Sequence, residues 1–140
     1  ETAGIPYASF LSQKLGKPML YIRKKPKGFG INKQIEGDFT KNQTALLVED
    51  LATDGGSKIT FIKAMREAGL IITDIFVIFY YDIFEFNKSE LFKLNVKIHS
   101  LCTWKDVLNY IDKQKLYSKL EIKNLKEFLS DPNSWRKKNG

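Results

Sequence analysis

The sequence has very little with which to brace itself by covalent or metal cross-links: one cysteine and one histidine in 140 residues. Cys102 has no intramolecular partner, so a disulfide framework is excluded, which fits a reducing cytoplasm. Zinc sites of the Cys/His type are excluded with it. With only 4 prolines and 9 glycines, and no internal repeat or low-complexity tract, collagen-like architectures are excluded, and the apolar content excludes disorder. A long apolar run is missing too. The most apolar stretch, residues 70–84, is interrupted by Thr73, Asp74 and Asp82, short of the roughly 20 residues a membrane span requires, and it reads as a buried strand. No basic segment followed by an apolar one opens the chain, so no secretory signal and a cytoplasmic location are expected. Glu1 begins abruptly without a Met, the expectation being a processed or truncated chain.

What the sequence does have is 43% hydrophobic residues. A chain of this size buries roughly two-thirds of the surface its unfolded form exposes, enough for the core of one domain spanning residues 1–140. It also has 23 Lys plus Arg against 16 Asp plus Glu, a formal net charge of +7. That excess fits nucleic acid, an anionic membrane or a small polyanionic substrate, and its placement decides among them. Two clusters hold much of it: Arg23, Lys24, Lys25 and Lys27 around Pro26, Gly28 and Gly30, and Arg136, Lys137 and Lys138, read as a frayed tail.

Pro6, the apolar positions Tyr7, Phe10, Leu11 and Leu15, and the later Gly16 and Pro18 predict a first helix with proline early and glycine late. Met19, Leu20, Tyr21 and Ile22 predict a short strand buried on both faces. Residues 23–42 show no sustained period and predict a long loop, a feature that in a compact domain is functional or mobile. Residues 44–48 predict a second buried strand, and Ile59, Phe61, Ile62, Ala64, Met65 and Ala68 a helix ended by Gly69. A third strand over 71–79 completes a parallel strand-helix-strand crossover. A short helical turn over 89–94 and a strand over 96–101 follow. The part from 103 to 131 is helical, with one helix opened by Thr103 and a last one opened by the capping box Ser118-Lys119-Leu120-Glu121 and stopped at Asp131-Pro132. The fold class is therefore α/β, a mostly parallel twisted sheet flanked by helices.

The most informative stretch is Leu46-Leu47-Val48-Glu49-Asp50-Leu51-Ala52-Thr53-Asp54-Gly55-Gly56-Ser57. Two adjacent carboxylates at the carboxyl end of a buried strand, then a glycine-containing turn into a helix, put acceptors and amide donors around one crevice. That combination suits a sugar phosphate: glycines let backbone N–H groups approach a phosphate, and the helix N-terminus adds roughly half a positive charge. The carboxylates would accept hydrogen bonds from sugar hydroxyls or meet Mg²⁺ through oxygen. The plainer alternative is a solvated acidic turn with Ser57 as an N-cap. Gly55-Gly56-Ser57-Lys58 lacks the order of a Walker A loop, and Gly28-Phe29-Gly30 is followed by Lys33 where a dinucleotide fingerprint needs its third glycine.

Residues 48–57 resemble the phosphoribosyl pyrophosphate (PRPP) motif of type I phosphoribosyltransferases: an apolar strand, two acidic residues and a Thr-x-Gly-x-Ser/Thr turn. Glu1-Thr2-Ala3-Gly4-Ile5-Pro6-Tyr7-Ala8 resembles the segment opening the first core helix of orotate phosphoribosyltransferases. Arg23-Lys24-Lys25-Pro26-Lys27-Gly28 resembles their mobile catalytic loop. With Leu101-Cys102-Thr103-Trp104 also similar to bacterial members, the resemblance spans essentially the whole chain.

The resemblance implies a PRPP-binding stretch in which Glu49 and Asp50 engage the ribose hydroxyls, Leu51 and Ala52 also line the substrate, and the turn of Thr53, Asp54, Gly55, Gly56 and Ser57 wraps its 5′-phosphate. Thr53 would also reach orotate, and Thr2 would contact pyrophosphate. It implies a Mg²⁺ cofactor carried on PRPP with no direct protein ligand. It further implies a homodimer in which Arg23, Lys24 and Lys27 of each chain cover pyrophosphate in the neighbour's site, with neither nucleic acid nor membrane as partner. Three departures accompany it. Phe29 stands where many members have a loop histidine, and Tyr80-Tyr81-Asp82 where many have an orotate-gripping arginine. An upstream segment enclosing orotate is expected to be absent, so that the chain binds PRPP yet turns over poorly. The expected reaction is orotate plus PRPP giving orotidine 5′-monophosphate and pyrophosphate, in pyrimidine (UMP) synthesis. The alternatives are transfer to another base and a non-catalytic PRPP-sensing or nucleic-acid-binding regulator. His99 is expected at a strand edge, Cys102 buried and inert, and Tyr80 and Tyr81 in the core.

Overall fold

The structure, a computed structural model, describes residues 2–25, 34–53, 56–83 and 86–139. Its centre is a three-stranded parallel sheet of β3 (Leu47–Ala52), β4 (Asp74–Tyr80) and β5 (Lys97–Thr103), in that spatial order. Before it come α1 (Gly4–Leu15) and the short strands β1 (Tyr21–Ile22) and β2 (Ile35–Glu36). Helix α2 (Gly56–Glu67) connects β3 to β4, and a 3-10 turn (Phe86–Lys88) with α3 (Glu90–Lys93) connects β4 to β5. Helices α4 (Trp104–Gln114), α5 (Lys119–Ser130) and α6 (Pro132–Asn139) follow. This is the α/β architecture the apolar periodicity predicts.

The core forms where the sheet meets α2. Ile72, Ile75 and Val77 of the β4 region pack with Ile62 of α2 and Leu91 of α3, all fully buried. Each crossover helix covers apolar surface that parallel strands expose on both faces. Gly16 takes the left-handed conformation that ends α1 (φ 60), and its N–H returns to the Ser12 carbonyl. Thr103 and Ser118 form complete capping boxes with Asp106 and Glu121 at the starts of α4 and α5, as the sequence predicts for Ser118.

The strand expected over 44–48 lies later, at Leu47–Ala52. Thr44 makes only an isolated parallel bridge to Ile71, and the ladder then continues through Glu49 opposite Val77 to Ala52 opposite Tyr80. Backbone pairing is indifferent to side-chain charge, so the two carboxylates are strand residues rather than the turn beyond. Likewise the third strand runs over Asp74–Tyr80, not 71–79.

The strand expected over 19–22 is shorter and lies outside the parallel sheet. It pairs antiparallel with β2, Ile22 opposite Ile35, both buried. The long loop expected over 23–42 thus contains a strand, because Ile35 has an apolar partner that composition does not show. Gly37 leaves β2 at φ 112, where a Cβ would stand 2.9 Å from the Met19 carbonyl.

The helix ending at Ser130 is not the last. Asp131 accepts from the Ser134 amide with its carboxylate and from the Trp135 amide with its carbonyl, Pro132 opens α6, and Phe128 and Trp135 meet edge to face at 5.5 Å. The same Asp-Pro pair that stops α5 starts α6, so residues 136–138 are helical rather than frayed. Cys102 is half-buried, its thiol 3.6 Å from the Thr103 carbonyl. His99 does lie on the edge strand β5, where Nε2 meets Asp74 Oδ1 at 2.7 Å. Tyr80 and Tyr81 are half-buried, Tyr81 within an edge-to-face trio with Phe79 and Trp104. Among the described residues no helix is long and apolar enough to cross a membrane.

Candidate functional site

The site assembles at the carboxyl end of β3. Glu49 points from the strand toward the first turn of α1 and is only 8% exposed. A Cβ on Gly4 would lie 2.8 Å from the Val48 carbonyl oxygen and 3.2 Å from Glu49 Oε2. Glycine at position 4 therefore lets α1 lie directly on the strand beside the carboxylate. Burial pushes the Glu49 carboxyl above its ordinary value, opposed by the positive charge of Lys58 and reinforced by the negative charge of Asp50. Asp50, the next residue, is half-buried, and its side chain hydrogen-bonds that of Glu49, which raises the Glu49 carboxyl further. Thr2, exposed, opens the turn that leads into Gly4, its carbonyl accepting from the Ile5 amide at 3.2 Å.

Leu51 and Ala52 belong to the ladder, opposite Phe79 and Tyr80. Ala52 is buried and its carbonyl accepts from the Tyr81 amide at 2.9 Å, so these two residues contribute through the backbone and by packing. Thr53, Gly56 and Ser57 are exposed, outside the lining of the cleft beside Glu49, and Gly56 begins α2. Asp54 and Gly55 lie outside the described residues. The positive end of the α2 dipole offers a seat for an anion next to two carboxylates that repel one. This division suits a ligand with a phosphate at one end and hydroxyls at the other.

Arg23 is fixed on the β1–β2 hairpin. Its Nε donates to Glu36 Oε1 at 2.7 Å and its Nη2 to the Tyr21 hydroxyl at 3.1 Å, with the guanidinium 5.7 Å from the Tyr21 ring centre. Its backbone N–H reaches the Gln34 carbonyl at 2.8 Å. Lys24, beside it, is exposed. Lys27 lies outside the described residues, as does Phe29. A cleft of about 710 Å³ is lined by Gly4, Ile22, Ile35, Val48 and Glu49, so the base of the hairpin and the carboxylate share one concavity.

Two residues of the site carried too faint a signal to be singled out from sequence. Lys58 falls at the head of the buried stripe of α2, with Phe61, Ile62 and Met65, a spacing of three and four residues that places it toward the core. Glu36 holds Arg23 across a hairpin that composition conceals. No group of three or more metal-binding side chains is present among the described residues. An adjacent carboxylate pair alone is too sparse for a protein cage around Mg²⁺, and fits an ion brought by its substrate and met through oxygen.

Over 139 residues, 99% of this chain and 62% of the relative, the sequence is 47% identical to a protein from Ruegeria sp. (strain TM1040) named orotate phosphoribosyltransferase. The backbone matches the UMP synthase of Leishmania donovani with a TM-score of 0.74 at 25% identity, covering 92% of this chain and 27% of that one. It matches orotate phosphoribosyltransferase from Aeropyrum pernix with a TM-score of 0.66 at 30% identity, covering 84% of this chain and 63% of that one. The fold is that of the type I phosphoribosyltransferases. No family model matches the chain. It spans 62% of the length of the Ruegeria relative. Residues 48–57 run from β3 to the start of α2, with Asp54 and Gly55 outside the described residues.

Proposed function

We propose that the chain forms the PRPP-binding core of an orotate phosphoribosyltransferase, transferring the phosphoribosyl group of PRPP to orotate in pyrimidine synthesis. The observation that carries this reading is the carboxylate pair Glu49-Asp50 within β3, the strand that leads to the exposed start of α2, in a chain 47% identical to a protein named for that activity.

In this reading the turn of Thr53, Asp54, Gly55, Gly56 and Ser57 binds the 5′-phosphate, and Glu49 and Asp50 accept hydrogen bonds from the ribose hydroxyls. Thr53 reaches orotate and Thr2 the pyrophosphate. Departure of pyrophosphate leaves an oxocarbenium-like ribose, so cations must meet the leaving group while water is kept from the sugar. Arg23, Lys24 and Lys27, reaching from a second copy of the chain in a homodimer, answer the first need. Mg²⁺ carried on PRPP would offset pyrophosphate charge. Holding orotate and PRPP in register supplies about 7–11 kcal/mol of the barrier, and no side chain need act as nucleophile. A cytoplasmic enzyme is the reading's setting.

The test is loss of orotate absorbance by the full-length protein with PRPP and Mg²⁺. Turnover of orotate and not of adenine or guanine is expected. Transfer to a purine would overturn the substrate. Absence of any transfer, together with duplex binding that weakens steeply with salt, would replace the enzyme by a nucleic-acid regulator.

A further inference from the structure

Among the described residues, Glu49 and Lys58 are the buried charged side chains, each 8% exposed. Their signs are opposite, and they come from the two halves of the strand-turn-helix unit. Lys58 occupies a position that the stripe of α2 otherwise fills with Phe61, Ile62 and Met65. A leucine there would bury more apolar surface without desolvating an ammonium, so lysine costs stability at a place where packing alone gives it no reason to stand. Its Nζ lies 3.2 Å from Ser57 Oγ.

An ammonium has three donors and no acceptor, whereas a serine hydroxyl has one donor and accepting lone pairs. In the Lys58–Ser57 contact the ammonium must donate and Oγ must accept. The hydroxyl hydrogen of Ser57 is thereby directed away from Lys58. Ser57 itself is exposed while Lys58 beneath it is not, so the pair presents a neutral donor at the surface with a fixed cation behind it.

We propose that Lys58 is a positioning residue of the phosphate turn: it holds the Ser57 hydroxyl as a donor to the 5′-phosphate and supplies the buried positive charge that lets this phosphate bind beside Glu49. The proposal rests on the reading of the site as a PRPP site. Without Lys58 the phosphate would approach a buried carboxylate with only backbone dipoles to offset the repulsion. With it, the phosphate and hydroxyl ends of one ligand are accommodated a few residues apart. Lys58 touches neither the anomeric carbon nor the base, so its effect should fall on the phosphoribosyl ligand alone.

The test measures binding of PRPP and of ribose 5-phosphate by calorimetry, and steady-state kinetics, on the full-length protein with Lys58→Met and Lys58→Gln. Met keeps the stem and buries without charge; Gln keeps a donor for Ser57 but no charge. Lys58→Met is expected to weaken both phosphoribosyl ligands about ten- to hundredfold, the range for losing a charge-assisted hydrogen bond. Lys58→Gln should fall between it and wild type, and KM for orotate should hold within about twofold. In a Ser57→Ala background the Lys58→Met effect should shrink, because the two act through one hydrogen bond. Unchanged PRPP affinity in Lys58→Met, with wild type binding normally, would overturn the proposal while leaving the proposed function standing. So would equal weakening toward orotate and PRPP, or failure of both variants to fold, either of which marks Lys58 as structural. Failure of the wild type itself to bind PRPP would overturn the function first and this inference with it.

Discussion

Glu49 shows at the scale of a single residue how a binding site is held at the expense of stability. Buried beneath Gly4, its carboxyl is raised above the ordinary 4.5, chiefly by burial. A raised carboxyl pKa means that the folded chain keeps its proton to a higher pH than the unfolded chain. Folding is therefore most favoured by this group on the acid side. Its contribution falls as pH rises from 4.5 and levels off once the folded-state value is passed. Glu49→Gln should remove that dependence. Its melting temperature should match or exceed that of the wild type, with a gap that widens above pH 4.5 and then holds, in a series of thermal melts. PRPP binding should weaken in the same variant, since the amide keeps one accepting oxygen for a ribose hydroxyl but loses the second and the negative charge. A melting temperature several degrees below wild type at every pH would show that the carboxylate is needed for the fold. Lys24, exposed and outside the core, should behave oppositely to a structural residue. Lys24→Ala is expected to lower kcat at least tenfold in the orotate assay with no change in the melt, as for loss of one charge-stabilising group.

Among elements, the seating of α1 on β3 is the tightest contact of the site. Gly4→Ala would drive a methyl to 2.8 Å from the Val48 carbonyl oxygen, which is backbone and cannot swing aside. The helix must lift, at a cost of about 1–3 kcal/mol by the usual penalty for overpacking, and denaturant melts should show it together with a raised KM for PRPP. Ser118→Ala removes the cap of α5, where the Ser118 hydroxyl accepts from the Glu121 amide, and should cost about 1 kcal/mol with activity intact. Such caps are legible in a sequence because they are local: the Ser118-to-Glu121 spacing alone announces the helix. The order of the parallel elements was legible for the same reason, each helix carrying its own apolar period. The hairpin was not, because the short pairing of Ile22 with Ile35 leaves no periodicity to read and the intervening proline and glycines read as loop. The true extent of β3 was hidden by its charges, since a ladder sustained by β4 carries Glu49 and Asp50 where apolar periodicity would end it. In the site, the acidic pair and the turn announced themselves by type and order, while Lys58 looked like any surface lysine until α2 turned it inward.

For the molecule as a whole, the net charge of +7 bears on what the surface attracts. If the basic hairpin serves a small polyanion, added salt should raise KM for PRPP smoothly, and duplex DNA should compete weakly at physiological ionic strength. The spatial order of the parallel strands repeats their order along the chain, and this bears on how the molecule is made. Each strand pairs with the one synthesised just before it, so closing the sheet never requires a distant segment to arrive first. The β3–α2–β4 unit can form as soon as it leaves the ribosome, with α1 and the hairpin settling onto it afterwards. Substitutions in β4, such as Ile75→Val, should then slow refolding, whereas those under α1, such as Gly4→Ala, should mainly hasten unfolding. Glu49, carried on the first unit to form, would be in place before α1 packs over it at Gly4.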